Sequence, residues 1–136
     1  MMLYTDIKFQ VHGDERGSLI ALEELKEIPF VIKRIYYIYG TREGVRRGFH
    51  AHRKLKQVLV CLNGSCKILL DDGYKKETVL LKENDRGIYI DRPIWREMFE
   101  FSQDAVLLCI ASDIYNESDY IRNYEEFLEY IGRKDI

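Results

Sequence analysis

Along this chain short apolar runs alternate with turn signals about every 8–12 residues, the pattern of a β-sandwich or barrel. The runs predict strands over Val31–Tyr39, Gln57–Leu62, Cys66–Leu70, Glu77–Leu81, Gly87–Ile90, Glu97–Phe101 and Val106–Ala111, with a weaker one near Ser18–Glu23. Between them stand Gly40 to Gly44, Asn63-Gly64, Asp71-Asp72-Gly73 and Glu83-Asn84-Asp85, residue types that tolerate the positive φ of tight turns. Two of these connections read as hairpins.

After Asn116 the period changes. Tyr120, Tyr124, Phe127, Leu128 and Ile131 fall at i, i+4, i+7, i+8 and i+11, an apolar stripe along a helix that Asn116, Ser118 or Asp119 would cap. Such a helix is expected to cover one barrel end or to dock on a second subunit. No internal repeat, low-complexity tract or linker interrupts the pattern, so residues 1–136 read as a single domain.

Composition narrows the class further. Apolar residues make up 46% and charged residues 32% of 136, the balance of a soluble globular chain with a real core. The net charge of -2, with basic residues scattered, leaves no electrostatic footprint for nucleic acid, although a local anion pocket is compatible with it. The N-terminal stretch meets charge before any long apolar run and no later stretch is long enough to span a bilayer, so a cytoplasmic protein without a membrane partner is expected. Cys61, Cys66 and Cys109 lack the spacing of a zinc or redox motif and sit in strand-like sequence, as buried free thiols would.

The candidate chemistry centres on Arg47-Gly48-Phe49-His50-Ala51-His52. Residues two apart on a strand share a face, so both imidazoles enter one pocket, as a metal grip or a proton-transfer device. Arg34 and Tyr36 are likewise two apart, which sends a guanidinium and a phenol to one side of their strand.

The series His50-x-His52, four residues, Gln57, six residues, Gly64 resembles the first motif of the cupins, small β-barrels or jelly rolls whose metal-binding members carry two His and a Glu there. Gly87 and Pro93 keep the spacing of the second motif, but the expected histidine region reads Ile94-Trp95-Arg96-Glu97. Glu has become Gln57, no histidine follows His52, and His12 lies in an N-terminal segment. A divalent ion needs three or four placed ligands and this motif offers two, so no metal and no other cofactor is expected.

Longer stretches are similar to one branch, the sugar-nucleotide 3,4-ketoisomerases. These are Ile32-Lys33-Arg34-Ile35-Tyr36-Tyr37-Ile38, Arg47 to His52, Gln57 to Gly64, Trp95-Arg96-Glu97-Met98 and Ser118-Asp119-Tyr120-Ile121-Arg122-Asn123-Tyr124, in a likeness running from Arg16-Gly17-Ser18-Leu19 to Tyr124. The resemblance implies a homodimeric, metal-free, mostly β cupin with one C-terminal helix. Its substrate would be dTDP-4-keto-6-deoxyglucose and its product the 3-keto sugar, in deoxysugar biosynthesis. It implies His50 as the base that takes the C3 proton; His52 would then relay protons between the two oxygens or orient the sugar, and Tyr36 would hydrogen-bond the developing oxyanion or bend the sugar ring. A diphosphate suits forked guanidinium pairing, which makes Arg34 and Arg47 the first candidates for substrate binding, followed by Arg16, Arg96 and Arg122, with Gln57 also against the substrate. Arg122 would act across a dimer interface, and Arg16 and Arg96 would flank the sugar ring.

Two other functions fit the same fold. A dTDP-sugar 3,5-epimerase also deprotonates carbon beside a carbonyl, but pairs its His with an Asp, and the sequence alone seats no aspartate beside His50. A non-catalytic nucleotide-sugar-binding cupin would bind the same ligand without exchanging its C3 hydrogen for solvent deuterium.

Overall fold

A computed structural model describes residues 2–133. It is mostly β: β1 (Thr5–Lys8), β2 (His12–Asp14), β3 (Gly17–Leu19), β4 (Arg34–Tyr39), β5 (Arg47–His52), β6 (Gln57–Asn63), β7 (Cys66–Asp71), β8 (Lys76–Leu81), β9 (Arg86–Ile90), β10 (Trp95–Phe99), β11 (Val106–Ala111) and β12 (Tyr120–Ile121), followed by α1 (Tyr124–Tyr130). Two five-stranded antiparallel sheets, ordered β1-β9-β6-β11-β4 and β12-β5-β10-β7-β8, face each other as a jelly roll rather than closing into a continuous barrel. The expected cupin architecture is thus present, and no helix among the described residues is long and apolar enough to cross a membrane.

Alternation decides which side chains meet between the sheets. Leu59, Cys61, Leu107 and Cys109 of the first sheet pack against Cys66, Ile68, Leu70, Val79, Leu81 and Met98 of the second, and all are buried. Each fully buried Leu or Ile here contributes about 1.5–3 kcal/mol through the apolar surface it removes from water. The three cysteines are free and buried in this layer. The first sheet's outer face is closed by the N-terminal segment, whose Phe9, Ile28 and Phe30 cover Val58, Val60 and Ile110.

Several boundaries differ from the sequence reading, each for a local reason. The strand expected from Val31 begins at Arg34, and the weak strand near Ser18–Glu23 shrinks to β3, paired only with β2. The first two strands were not predicted; β1 gains its place by pairing with β9. Asp71-Asp72-Gly73 does close a hairpin, β7–β8, but Asn63-Gly64 instead carries the chain from one sheet to the other. Gly64 (φ 68°) turns against Ala105, whose Cα a Cβ would approach to 2.9 Å.

The helix starts later than its stripe suggested. Tyr120 and Ile121 are a strand paired with His52 and Ala51, and the cap is Asn123, whose side chain accepts from the Glu126 N–H; Asn116 caps only the preceding 3-10 turn at Glu117–Asp119. Tyr120 matches the helical period but takes its backbone partners from β5. The helix covers no barrel end: Phe127 and Leu128 pack with Trp95, Ala51 and Ile121 on the outer face of the second sheet. Tyr124 anchors it there by donating its hydroxyl to the buried Asp71 carboxylate at 2.7 Å.

Candidate active site

A β-bulge in β5 sets the geometry. Arg96 lies opposite His50 but Glu97 lies opposite Gly48 and Met98 opposite Arg47, so Phe49 is an extra residue in the strand. Gly48 (φ 92°) and Phe49 (φ 56°) both take left-handed backbone, and a Cβ on Gly48 would stand 2.8 Å from the Arg96 carbonyl oxygen. The insertion breaks the two-residue alternation once. Arg47 therefore shares the inward face with His50 and His52, from which an unbroken strand would have turned it away.

The two imidazoles meet edge to face, ring centroids 4.9 Å apart. Tyr120, opposite His52 on β12, lies against both rings, at 5.0 Å from His50 and 4.5 Å from His52. His52 Nδ1 is 3.0 Å from Asp119 Oδ2, and the backbone N–H of Lys54 donates to Asp119 Oδ1 at 2.7 Å. A neutral His52 donates Nδ1–H to this carboxylate, which leaves the Nε2 lone pair free. His52 Nε2 and both ring nitrogens of His50 are buried without a well-formed hydrogen-bond partner among the described residues. Burial, and then the Arg96 guanidinium, pull His50 down to about 4 and hold His52 lower still. Both rings are therefore neutral near pH 7, the form a proton acceptor needs.

Arg96 is fully buried between the sheets. Its Nη1 donates to Gln57 Oε1 at 2.7 Å, while Nε and Nη2 both donate to the Ile94 carbonyl at 3.2 and 2.9 Å. Burial lowers its pKa to about 10, which still leaves it charged near neutrality. Its hydrogen-bond partners are neutral. Burying a cation with no carboxylate in hydrogen-bond contact, and only the longer-range field of Asp119 to offset it, costs several kcal/mol, so this positive charge is kept at an energetic disadvantage, as at sites where negative charge develops. Gln57 Nε2 in turn donates to the Tyr36 hydroxyl at 2.8 Å, and burial, with Cys109 alongside, holds that phenol well above its ordinary pKa.

Toward the mouth, the Arg34 guanidinium lies over Tyr36 (4.4 Å to the ring centroid) and donates to the Tyr120 hydroxyl at 3.4 Å. Arg47 stands exposed at the end of β5. Arg122 lies over the Tyr120 ring at 4.3 Å and forks onto Glu117 at 2.7 and 2.8 Å.

The fold thus gathers His50, His52, Tyr36, Gln57, Arg96 and Arg34 about one interior, with Arg47 and Arg122 at its edge. Arg16 is not among them: it is exposed on the β2–β3 hairpin, paired with Asp14 at 2.6 Å. Gln57 has both amide ends committed to protein groups, which sets it behind Tyr36 rather than against a substrate. Asp119, Tyr120 and Cys109 escaped the sequence reading. Asp119 and Tyr120 stand in the Ser118-Asp119-Tyr120 stretch that carried the resemblance, but 67 residues separate Asp119 from His52 and nothing local marks them as neighbours. Among the described residues no three His, Cys, Asp or Glu side chains form a metal-holding group. The position at which metal cupins place a Glu is here an amide bound to Arg96.

Jelly-roll sheets around neutral imidazoles and a buried guanidinium give a cupin interior with groups suited to moving protons. The family described as FdtA, WxcM-like, C-terminal, matches residues 2–132, and the chain belongs to it. A curated relative from Aneurinibacillus thermoaerophilus, TDP-4-oxo-6-deoxy-alpha-D-glucose-3,4-oxoisomerase, is 52% identical over 96% of this chain and 94% of its own length. A 3,4-ketoisomerase from Helicobacter canadensis superposes with a TM-score of 0.93 at 52% identity, over 96% of this chain and 98% of that one. A histidine-to-asparagine variant of the 3,4-ketoisomerase QdtA from Thermoanaerobacterium thermosaccharolyticum, in complex with TDP-4-keto-6-deoxyglucose, superposes with a TM-score of 0.94 at 40% identity, over 100% and 99%.

Proposed function

We infer that the protein is a sugar-nucleotide 3,4-ketoisomerase that moves the carbonyl of dTDP-4-keto-6-deoxyglucose from C4 to C3. The observation that carries the reading is the pair of buried, neutral imidazoles, with the Nε2 of His52 free to accept a proton, beside a buried guanidinium that has no carboxylate in hydrogen-bond contact. The 52% identity to a TDP-4-oxo-6-deoxyglucose 3,4-oxoisomerase supports the choice of substrate.

The reaction needs two proton transfers that balance. His50 takes the C3 proton, and the electron pair moves through C3–C4 to the C4 oxygen, giving an enediolate. The Tyr36 hydroxyl and the Arg96 charge stabilise that oxygen. His52 accepts the proton of the C3 hydroxyl at Nε2 and returns it to the C4 oxygen, while C4 receives a proton from the His50 imidazolium after that imidazolium has exchanged its proton with solvent. Carbonyl and hydroxyl have then exchanged places, and both histidines end as they began. Arg34 and Arg47 take the diphosphate, since guanidinium forks match phosphate oxygen pairs. The family resemblance also implies a homodimer, with Arg122 at the shared edge, which sedimentation would test.

Incubation with dTDP-4-keto-6-deoxyglucose in deuterated water, followed by NMR, is the deciding experiment. A ketone at C3 with deuterium at C4 is expected. A ketone that stays at C4 with inverted C3 or C5 would identify a 3,5-epimerase, and binding without exchange a sugar-binding module.

A further inference from the structure

Gln57 stands at the centre of a three-residue chain in which every hydrogen-bond direction can be read. Arg96 has only donors, so its Nη1 contact at 2.7 Å fixes the Gln57 amide with Oε1 toward the guanidinium and its NH2 toward Tyr36. The phenol oxygen is thereby an acceptor from Gln57, and its own proton must point elsewhere. Cys109, opposite Tyr36 on the neighbouring strand, hydrogen-bonds the phenol through its sulfur, a weak acceptor that a substrate oxyanion would displace. The best use left for that proton is an oxygen in the interior that Tyr36 shares with Arg34, Tyr120 and the histidines.

The arrangement crosses strands in an ordered way. Gln57, Ala111 and Arg34 lie in one register row of the first sheet, Leu59, Cys109 and Tyr36 in the next, and Ala111 is the small residue between Gln57 and Arg34. Gln57 is 1% exposed, so water is not available to redirect either end of the amide.

We propose that Gln57 is a positioning residue: with Arg96 behind it, the amide holds the Tyr36 hydroxyl as a proton donor toward the developing C4 oxyanion, and by being neutral it leaves Arg96 without a directly paired carboxylate. The inference deepens the ketoisomerase reading and rests on it. It also gives a physical reason for an amide where metal cupins place a carboxylate. An ionised glutamate accepts only, so Tyr36 would donate to it and turn its proton away from the substrate, and the same carboxylate would neutralise Arg96.

Stability and turnover therefore move apart in Gln57→Glu. The variant pairs a buried carboxylate with Arg96, and its melting temperature is expected to stay level or rise. Its kcat is expected to fall on the order of 10²-fold, the size of a general acid–base contribution, with KM changed less than about threefold. In a Tyr36→Phe background the same substitution should cost far less, because its effect runs through the missing hydroxyl. Gln57→Met breaks both hydrogen bonds without adding charge and should also lose turnover, which keeps the test open should the glutamate variant fold poorly. Wild-type kcat in either variant, or a Gln57→Glu loss undiminished without the Tyr36 hydroxyl, overturns the inference. An inactive wild-type protein would instead overturn the ketoisomerase reading itself.

Discussion

His52 and Asp119 are joined at 3.0 Å across 67 residues of sequence, and the carboxylate is itself held by the Lys54 backbone N–H. A fixed Nδ1–H leaves Nε2 as the basic nitrogen, so the tautomer of His52 is decided by Asp119. Asp119→Asn offers an amide in place of the acceptor and lets the ring turn or change tautomer. We expect kcat to fall on the order of 10²-fold while TDP affinity stays within about threefold, checked by steady-state kinetics and calorimetric titration.

Substitution of either histidine should separate chemistry from binding. His50→Asn is expected to lower kcat by about 10²–10⁴-fold and to stop exchange of the C3 hydrogen with deuterated water, since it removes the base. The nucleotide is held by other groups, so TDP binding should persist. A loss of affinity as large as the loss of rate would contradict that division of labour.

The depressed histidine pKa values carry a pH signature. His50 titrates at about 4 in the fold against 6.5 in an ordinary peptide, so between those values the unfolded chain binds the extra proton. Stability therefore rises with pH through that window and is lost as pH falls from about 6.5 to about 4, by roughly 3 kcal/mol for this residue. His52 shifts in the same direction and adds to the loss. Activity should stay flat through pH 6.5, where an exposed histidine base would already be half protonated. Denaturation midpoints and a pH–rate profile test both statements.

Gly48→Ala should damage the bulge. The new methyl would sit 2.8 Å from the Arg96 carbonyl oxygen at φ 92°, a backbone cost of about 1–3 kcal/mol. Relief requires the strand to move, and with it Arg47 and His50. A melting-temperature drop together with a raised KM for the nucleotide sugar is expected.

Tyr124→Phe isolates the helix anchor. Without the phenol the buried Asp71 carboxylate loses its 2.7 Å donor, at a cost of about 1–3 kcal/mol in urea unfolding. The residue lies on the outer face of the second sheet, so kcat at 25 °C should be unchanged.

Much of this architecture is written in local pattern. Period-2 alternation places Leu59, Cys61, Leu107 and Cys109 in the core, and the His50-x-His52 spacing sends two imidazoles to one face, because side-chain direction along a strand depends only on the strand itself. The tyrosine and phenylalanine stripe likewise announces α1, although Tyr120 obeys the helical period and still becomes strand, since its backbone partners come from β5. What the chain could not disclose residue by residue is register and contact across sheets. The extra residue at Phe49 that swings Arg47 inward, the Asp119 carboxylate under His52, and the Arg96–Gln57–Tyr36 chain each exist only once distant strands are side by side. Their hydrogen bonds span a few ångströms in space but tens of residues in sequence, so the chemistry of this site belongs to the packing of two sheets rather than to any single motif.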